Sequence, residues 1–145
     1  MRLIDSIFNE GTGKSTSVIK YKKKKYYGYA WLHPEDTDKA SKYTGCRYAE
    51  MRAEIRALRM EYKQEKKACE ECRNFVKACS QYKNFDKESL TAKAVYRQLN
   101  RRIKRVNDLA DKINQKIEEL NIAIRQQDIV SKALERKIKQ KKEEK

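Results

Sequence analysis

Two short stretches of this sequence carry residue types that could do chemistry, and the first is GTGKST at residues 11–16. A loop that cradles nucleotide phosphates reads G-x-x-x-x-G-K-[ST], because its glycines turn backbone N–H groups inward and its lysine reaches the phosphates. Gly13, Lys14 and Ser15 fit the second half, but Phe8 stands where the first glycine is needed. The rest of the chain also offers no parallel strands to support such a loop. We therefore interpret this stretch as a flexible linker.

The second stretch is CEEC at residues 69–72, which has the spacing of half a zinc site or of a redox pair. A zinc site needs four ligands, and only Cys46, Cys79 and the sequence-remote His33 remain to complete one. Both cysteines of this stretch and Cys79 also fall on the apolar positions of a helical repeat, where a thiol packs as a small hydrophobic group. We expect no metal, no cofactor and no catalytic residue, and therefore no enzyme.

Two long stretches must position whatever site the chain has, and in both of them apolar residues recur at steps of three and four. The first series runs from Tyr48 to Cys79 and the second from Tyr96 to Ile138. Heptads sustained over this length are typical of a coiled coil. A short break around residues 82–88 separates the two series, which favours two antiparallel helices. A homodimeric coiled coil would satisfy the same heptads.

The sequence thus predicts an all-α fold, a long antiparallel coiled-coil helical hairpin preceded by a basic, aromatic N-terminal arm. We expect the arm at residues 1–35 and the hairpin at residues 36–145, with helices at about 37–82 and about 89–140. Asp86 or Ser89 is the expected cap of the second helix. A short β-hairpin within the arm is the alternative to an irregular arm.

Basic residues gather on the flank of the first predicted helix and at the tip of the hairpin. Like charges stacked at i and i+4 repel by about a few tenths of a kcal/mol each, and a bound polyanion would relieve that repulsion. A solvated face is the alternative interpretation. The flank carries Arg52, Arg56, Arg59, Lys63 and Lys66, and the tip carries Arg97, Arg101, Lys104 and Arg105.

The arm combines lysines with aromatic residues in SVIKYKKKKYYGYAWLHP, residues 17–34. Lysines neutralise phosphates and aromatic rings stack on bases, so the arm has the residue types of a nucleic-acid contact. Alternatively, Trp31 could close as a clasp over Ile122 and Ile129, two apolar residues outside the helical seam. The candidate nucleic-acid contacts in the arm are Lys22, Lys23, Lys24, Lys25 and Tyr26.

The charge balance indicates what kind of partner the chain has. Its 145 residues include 36 Lys and Arg against 21 Asp and Glu, a formal net charge of +15. Such a balance favours contact with nucleic acid or a nucleoprotein complex. The sequence therefore predicts a non-enzymatic nucleic-acid-binding accessory protein. RNA is favoured over DNA, since no helical module for reading the major groove is apparent.

The alternative function is a protein-binding adaptor or inhibitor, of the kind that phages or mobile elements encode. It would dock on a nucleic-acid-handling complex such as a nuclease through Ile122, Ile129 and Trp31. The sequence shows no signal peptide and no apolar run long enough to span a bilayer. We therefore expect a cytoplasmic protein with no membrane partner.

Overall fold

The computed structural model of this chain describes residues 1–31, 39–82 and 85–143, without the side chains of residues 39–40, 128–131 and 135. Three strands come first and two long helices follow. The elements are β1 (Arg2–Asn9), β2 (Lys14–Tyr21), β3 (Lys24–Trp31), α1 (Lys39–Ser80) and α2 (Leu90–Glu143).

The prediction of an all-α fold is wrong, because the N-terminal strands form a three-stranded antiparallel sheet in the order β1-β2-β3. The fold is mixed α/β, and the predicted coiled-coil hairpin with an arm is not what the structure shows. A two-stranded coiled coil buries one seam of each helix, whereas α1 is buried on two faces, against the sheet and against α2. The expected boundary at residue 35 lies outside the described residues, so the division into two regions stays a prediction.

Strands β2 and β3 alternate between buried and accessible residues, as strands with one covered face do. Ser15, Ser17 and Ile19 of β2 face α1, and Gly28 and Ala30 of β3 face it beside them. Four of these five residues are small, so the alternation has almost no hydrophobic contrast. This is why the segment resembles a polar linker in the sequence.

The GTGKST stretch forms the turn between β1 and β2 and the start of β2. The Asn9 side-chain oxygen accepts the N–H of Gly11 at 2.9 Å, and the Asn9 carbonyl accepts the N–H of Gly13 at 2.8 Å. Gly13 has a φ of 71°, which glycine adopts without steric cost. A nucleotide-binding loop must lead into a helix, whereas Lys14 begins a strand. The expected flexible linker is therefore an ordered hairpin turn.

Small residues let α1 lie unusually close to the sheet. Ala49, Ala53 and Ala57 recur every four residues and are each 0 % exposed. A Cβ atom on Gly28 would lie 1.9 Å from the Ala49 carbonyl oxygen and 2.5 Å from the Ala53 nitrogen. Gly28 is therefore required where β3 crosses α1.

The other face of α1 packs against α2 through apolar side chains. Ser89 caps α2, because its Oγ accepts the N–H of Ala92 at 3.1 Å. The Tyr48 hydroxyl donates to the Ala123 carbonyl at 3.1 Å. The three buried clusters between the helices centre on Met51, Ile55 and Leu120, on Leu58, Leu109 and Ile113, and on Cys69, Val76 and Leu99.

No described helix is long and apolar enough to cross a membrane.

Candidate nucleic-acid interface

The face of the sheet that points away from α1 is uncovered among the described residues. Partners across antiparallel strands share a face, so the register defines this surface. Trp31 lies opposite Lys14, Tyr29 opposite Thr16, and Tyr27 opposite Val18. Tyr27 is 44 % exposed and Trp31 is 67 % exposed. Beyond them on the same face lie Lys20, Lys25 and Arg2.

One corner of this face combines two aromatic rings with a lysine. The Lys14 Nζ lies 4.3 Å from the ring centre of Tyr29 and 5.5 Å from that of Trp31. The two rings are 6.4 Å apart and tilted by 40°. The ammonium is attracted to both ring faces. This corner offers stacking surfaces with a cation directly beside them.

A groove of about 540 Å³ runs along the free edge of β3 and joins this corner to α1. Its floor is apolar and is formed by residues at the α1–α2 contact. Its rim carries aromatic and guanidinium groups. The lining residues are Tyr27, Gly28, Tyr29, Trp31, Arg52, Ile55, Arg56, Arg59, Ile117 and Leu120.

Two of the predicted arginines in the groove also donate hydrogen bonds to the backbone of the edge strand β3. Arg52 donates to the Tyr29 carbonyl at 2.8 Å, and Arg56 donates to the Tyr27 carbonyl at 3.3 Å. An unpaired strand edge invites pairing with other chains, and these bonds occupy part of it. Loss of either arginine would therefore disturb β3 in addition to removing a charge.

The remaining residues of the predicted helical stripe are exposed. Arg59 lines the groove, and Lys63 and Lys66 follow it along α1. None of the three forms an ion pair with another described residue. Their charges are available to an anionic ligand.

The lysine run of the predicted arm forms the turn between β2 and β3. Lys22 and Lys23 have φ values of 48° and 67°, as the two central residues of a tight hairpin turn require. Lys24 and Lys25 are exposed at the start of β3. Tyr26 lies on the covered face and packs against the Ile19, Ala53 and Ala57 cluster. The exposed rings on the open face are instead Tyr27 and Trp31.

Glu61 of α1 ties this turn to the helix. Its carboxylate accepts hydrogen bonds from the Tyr21 hydroxyl and from the Lys22 ammonium. Burial raises the pKa of Glu61, but the bonds from Lys22 and Tyr21 outweigh it and hold the pKa below its usual value. Burial and the bond to Glu61 raise the pKa of Tyr21. The Lys22 ammonium therefore helps to hold the turn against α1, unlike those of Lys23, Lys24 and Lys25.

The second predicted basic cluster lies on another part of the molecule. Arg97, Arg101, Lys104 and Arg105 are exposed on α2. Their segment packs against the Cys69 and Val76 part of α1, whereas the groove lies beside Ile55. Arg105 is 3.6 Å from Glu65 of α1. The structure therefore does not bring this cluster into the groove.

The residues predicted to contact a protein partner do not assemble into a clasp among the described residues. Ile122 is 44 % exposed and Trp31 is 67 % exposed, with Tyr29 and Lys14 beside the Trp31 ring. The side chain of Ile129 lies outside the described part of the structure, as does all of His33. The four cysteines are thiols, and no cluster of described residues could hold a metal ion.

Lys14, Tyr27 and Tyr29 are part of this surface, although the sequence did not single them out as site residues. The signal that could have found them is the alternation of large aromatic and small residues from Tyr27 to Trp31. In a strand, that alternation places all the rings on one face. Comparisons of the chain with protein-family models, curated proteins and solved structures found no match.

Proposed function

We propose that this protein is a non-enzymatic nucleic-acid-binding accessory protein, and that its binding surface is the groove between β3 and α1 with the adjoining open sheet face. One observation carries this proposal. Residues far apart in the sequence, Lys14, Trp31 and Arg59, line one surface that combines cations with exposed rings. Cations neutralise phosphates and rings stack on bases, so the surface suits both parts of a nucleotide chain.

The charge of the whole chain supports the same proposal. At +15 the chain attracts polyanions over distances comparable to the screening length of physiological salt, about 8 Å. RNA remains the favoured ligand in this proposal. A reducing, cytoplasmic compartment is part of it too, because the four cysteines are thiols.

The test replaces two stripe residues that have no described hydrogen bond or ion pair. The variant Arg59→Gln with Lys63→Gln removes two charges without touching the bonds that Arg52 and Arg56 donate to β3. A matched control, Lys137→Gln with Lys141→Gln, removes the same charge from exposed positions near the end of α2. We expect a labelled RNA strand to bind the first variant roughly tenfold more weakly than the wild type, and the control to bind nearly as well. Equal affinity of both variants would contradict the proposed surface.

The adaptor or inhibitor function is the second candidate, and the exposure of Ile122 is what favours it. Ile122 is one of several exposed apolar residues on α2, with Leu134 and Ile138 at 54 % and 55 % exposed, and a patch of such residues suits a protein contact. Capture of partners from a lysate, with and without nuclease treatment, separates the two candidates. A specific protein that survives nuclease and is lost in Ile122→Asp would favour the adaptor.

A further inference from the structure

We infer that the open face of the sheet binds single-stranded nucleic acid, by stacking unpaired bases on Tyr27 and Trp31. This inference rests on the proposed function and specifies which form of nucleic acid the surface takes. It concerns the rings of β3, whereas the arginine stripe belongs to α1 on the other side of the groove that joins them.

The spacing of the rings is the first argument. Tyr27 and Trp31 are four residues apart on β3, which places their Cα atoms about 13 Å apart, and the Tyr29 ring between them has its centre 6.4 Å from that of Trp31. Bases stacked within a duplex are about 3.4 Å apart along each strand. A row of bases that follows these rings must therefore be unstacked from one another, which only a single strand permits at low cost.

The accessibility of the rings is the second argument. Trp31 and Tyr27 are 67 % and 44 % exposed, although large aromatic side chains are usually buried. Tyr29 lies between them and is held by the Lys14 ammonium at 4.3 Å. A base stacked on Trp31 would bring its phosphate near that ammonium. The open face thus offers a row of rings along β3, with Ile7 exposed on β1 at the opposite edge of the sheet.

The charge of the face is the third argument and favours nucleic acid over an apolar protein segment. Lys14, Lys20 and Lys25 lie on this face among the rings, and Arg2 lies on β1 beside Lys20. Asp5, opposite Val18, is the one acid on the strands of this face. An apolar partner would have to desolvate these cations without pairing them, whereas phosphates pair with them.

The chain carries its own reporter for this contact, since Trp31 is its only tryptophan. The probes are an oligouridine strand of about 12 nucleotides, within the usual size of a single-strand site, and an RNA duplex of the same length. We expect the single strand to quench Trp31 emission strongly and the duplex to leave it nearly unchanged. Equal quenching by both, or no quenching at saturation, would overturn the inference.

Variants separate this inference from the proposed function. We expect Tyr27→Ala and Trp31→Ala each to weaken single-strand binding by roughly tenfold, without changing duplex binding or the salt dependence. Tyr82→Ala, which removes a tyrosine that is 75 % exposed at the end of α1, is the matched control and should have no effect. Unfolding midpoints verify that each variant folds.

Two outcomes are distinguishable failures. If Tyr27→Ala and Trp31→Ala bind the single strand like the wild type while Arg59→Gln with Lys63→Gln binds weakly, stacking is wrong and the proposed function stands. If neither the strand nor the duplex binds the wild type, both proposals fail.

Discussion

Glu61 of α1 links the helix to the sheet through an ion pair and a hydrogen bond. Its side chain is 13 % exposed and accepts bonds from Tyr21 and Lys22, which lie at one end of β2. A carboxylate with its pKa lowered by folding stabilises the fold above its unfolded pKa, near 4.3, and loses this contribution as pH falls through the folded pKa. The raised pKa values of Tyr21 and Lys22 act in the opposite direction, so their contributions are lost as pH rises through the folded values.

These directions predict how stability depends on pH. We expect Glu61→Gln to lower the free energy of unfolding by about 1 kcal/mol at pH 7. The difference from the wild type should shrink as pH falls through the lowered folded pKa of Glu61, and again above about pH 10 as Tyr21 and Lys22 lose their protons. Urea unfolding at several pH values measures it.

The control is Glu88→Gln, because Glu88 faces Lys93 at 3.5 Å but is 83 % exposed. Exposed pairs contribute little, so we expect nearly the same stability as the wild type across this pH range. A Glu61→Gln difference that stayed constant from pH 3 to pH 7 would show that the carboxylate charge is not what holds the turn.

At the scale of elements, the close contact of β3 with α1 positions the aromatic row. Gly28 has Tyr27 and Tyr29 as neighbours, so any shift of β3 at Gly28 also moves both rings. We expect Gly28→Ala to destabilise the fold by about 3 kcal/mol or more, because the added methyl group meets the backbone of Ala49 and Ala53. Denaturant unfolding measures this change.

Gly11→Ala is the comparison variant, since its Cβ would lie 3.3 Å from the end of the Asn9 side chain, which can adjust. We expect a much smaller loss of stability there. If the two variants were equally stable, the close helix–sheet contact described here would be wrong.

The same contact explains how much of the fold could be predicted. Steps of three and four selected Met51, Ile55 and Leu120, and these residues are buried because large apolar side chains at helical spacing give a strong signal. The strands gave a weak signal, since their covered residues include Ser15, Ser17 and Gly28 rather than large apolar groups. The face of α1 that packs against the sheet was not predicted for the same reason, because its buried residues are alanines and these give only a weak hydrophobic signal. A fold with two helices was therefore predicted without the sheet that covers one of them.

For the candidate site, composition identified the right kinds of residue but not their arrangement. Arg52, Arg56 and Arg59 were predicted as one stripe, and the structure places all three along the edge of β3. That Arg52 and Arg56 also bond to strand carbonyls could not be predicted without the sheet. The register of β2 with β3 places Lys14 opposite Trp31. It depends on the two-residue turn at Lys22 and Lys23, and lysines are not residues that indicate such a turn in a sequence.

At the scale of the whole molecule, the order of the layers explains how the chain presents the proposed binding surface. The sheet lies on one side of α1 and α2 lies on the other, so α1 shields one face of the sheet and leaves the other accessible. The helix also places its arginine stripe beside the edge strand. The result is a surface with guanidinium and ammonium groups on α1 and exposed rings on β3, while the cluster around Arg101 lies elsewhere on α2.

The salt dependence of binding tests the central claim most directly. With an oligouridine strand we expect log K for the wild type to fall linearly and steeply with log salt concentration, by about 0.7 per phosphate neutralised. Arg59→Gln with Lys63→Gln should have a slope shallower by about 1.4, and Lys137→Gln with Lys141→Gln should keep the wild-type slope. A wild-type affinity that barely changes between about 50 and 200 mM salt would contradict a nucleic-acid backbone as the ligand of this surface.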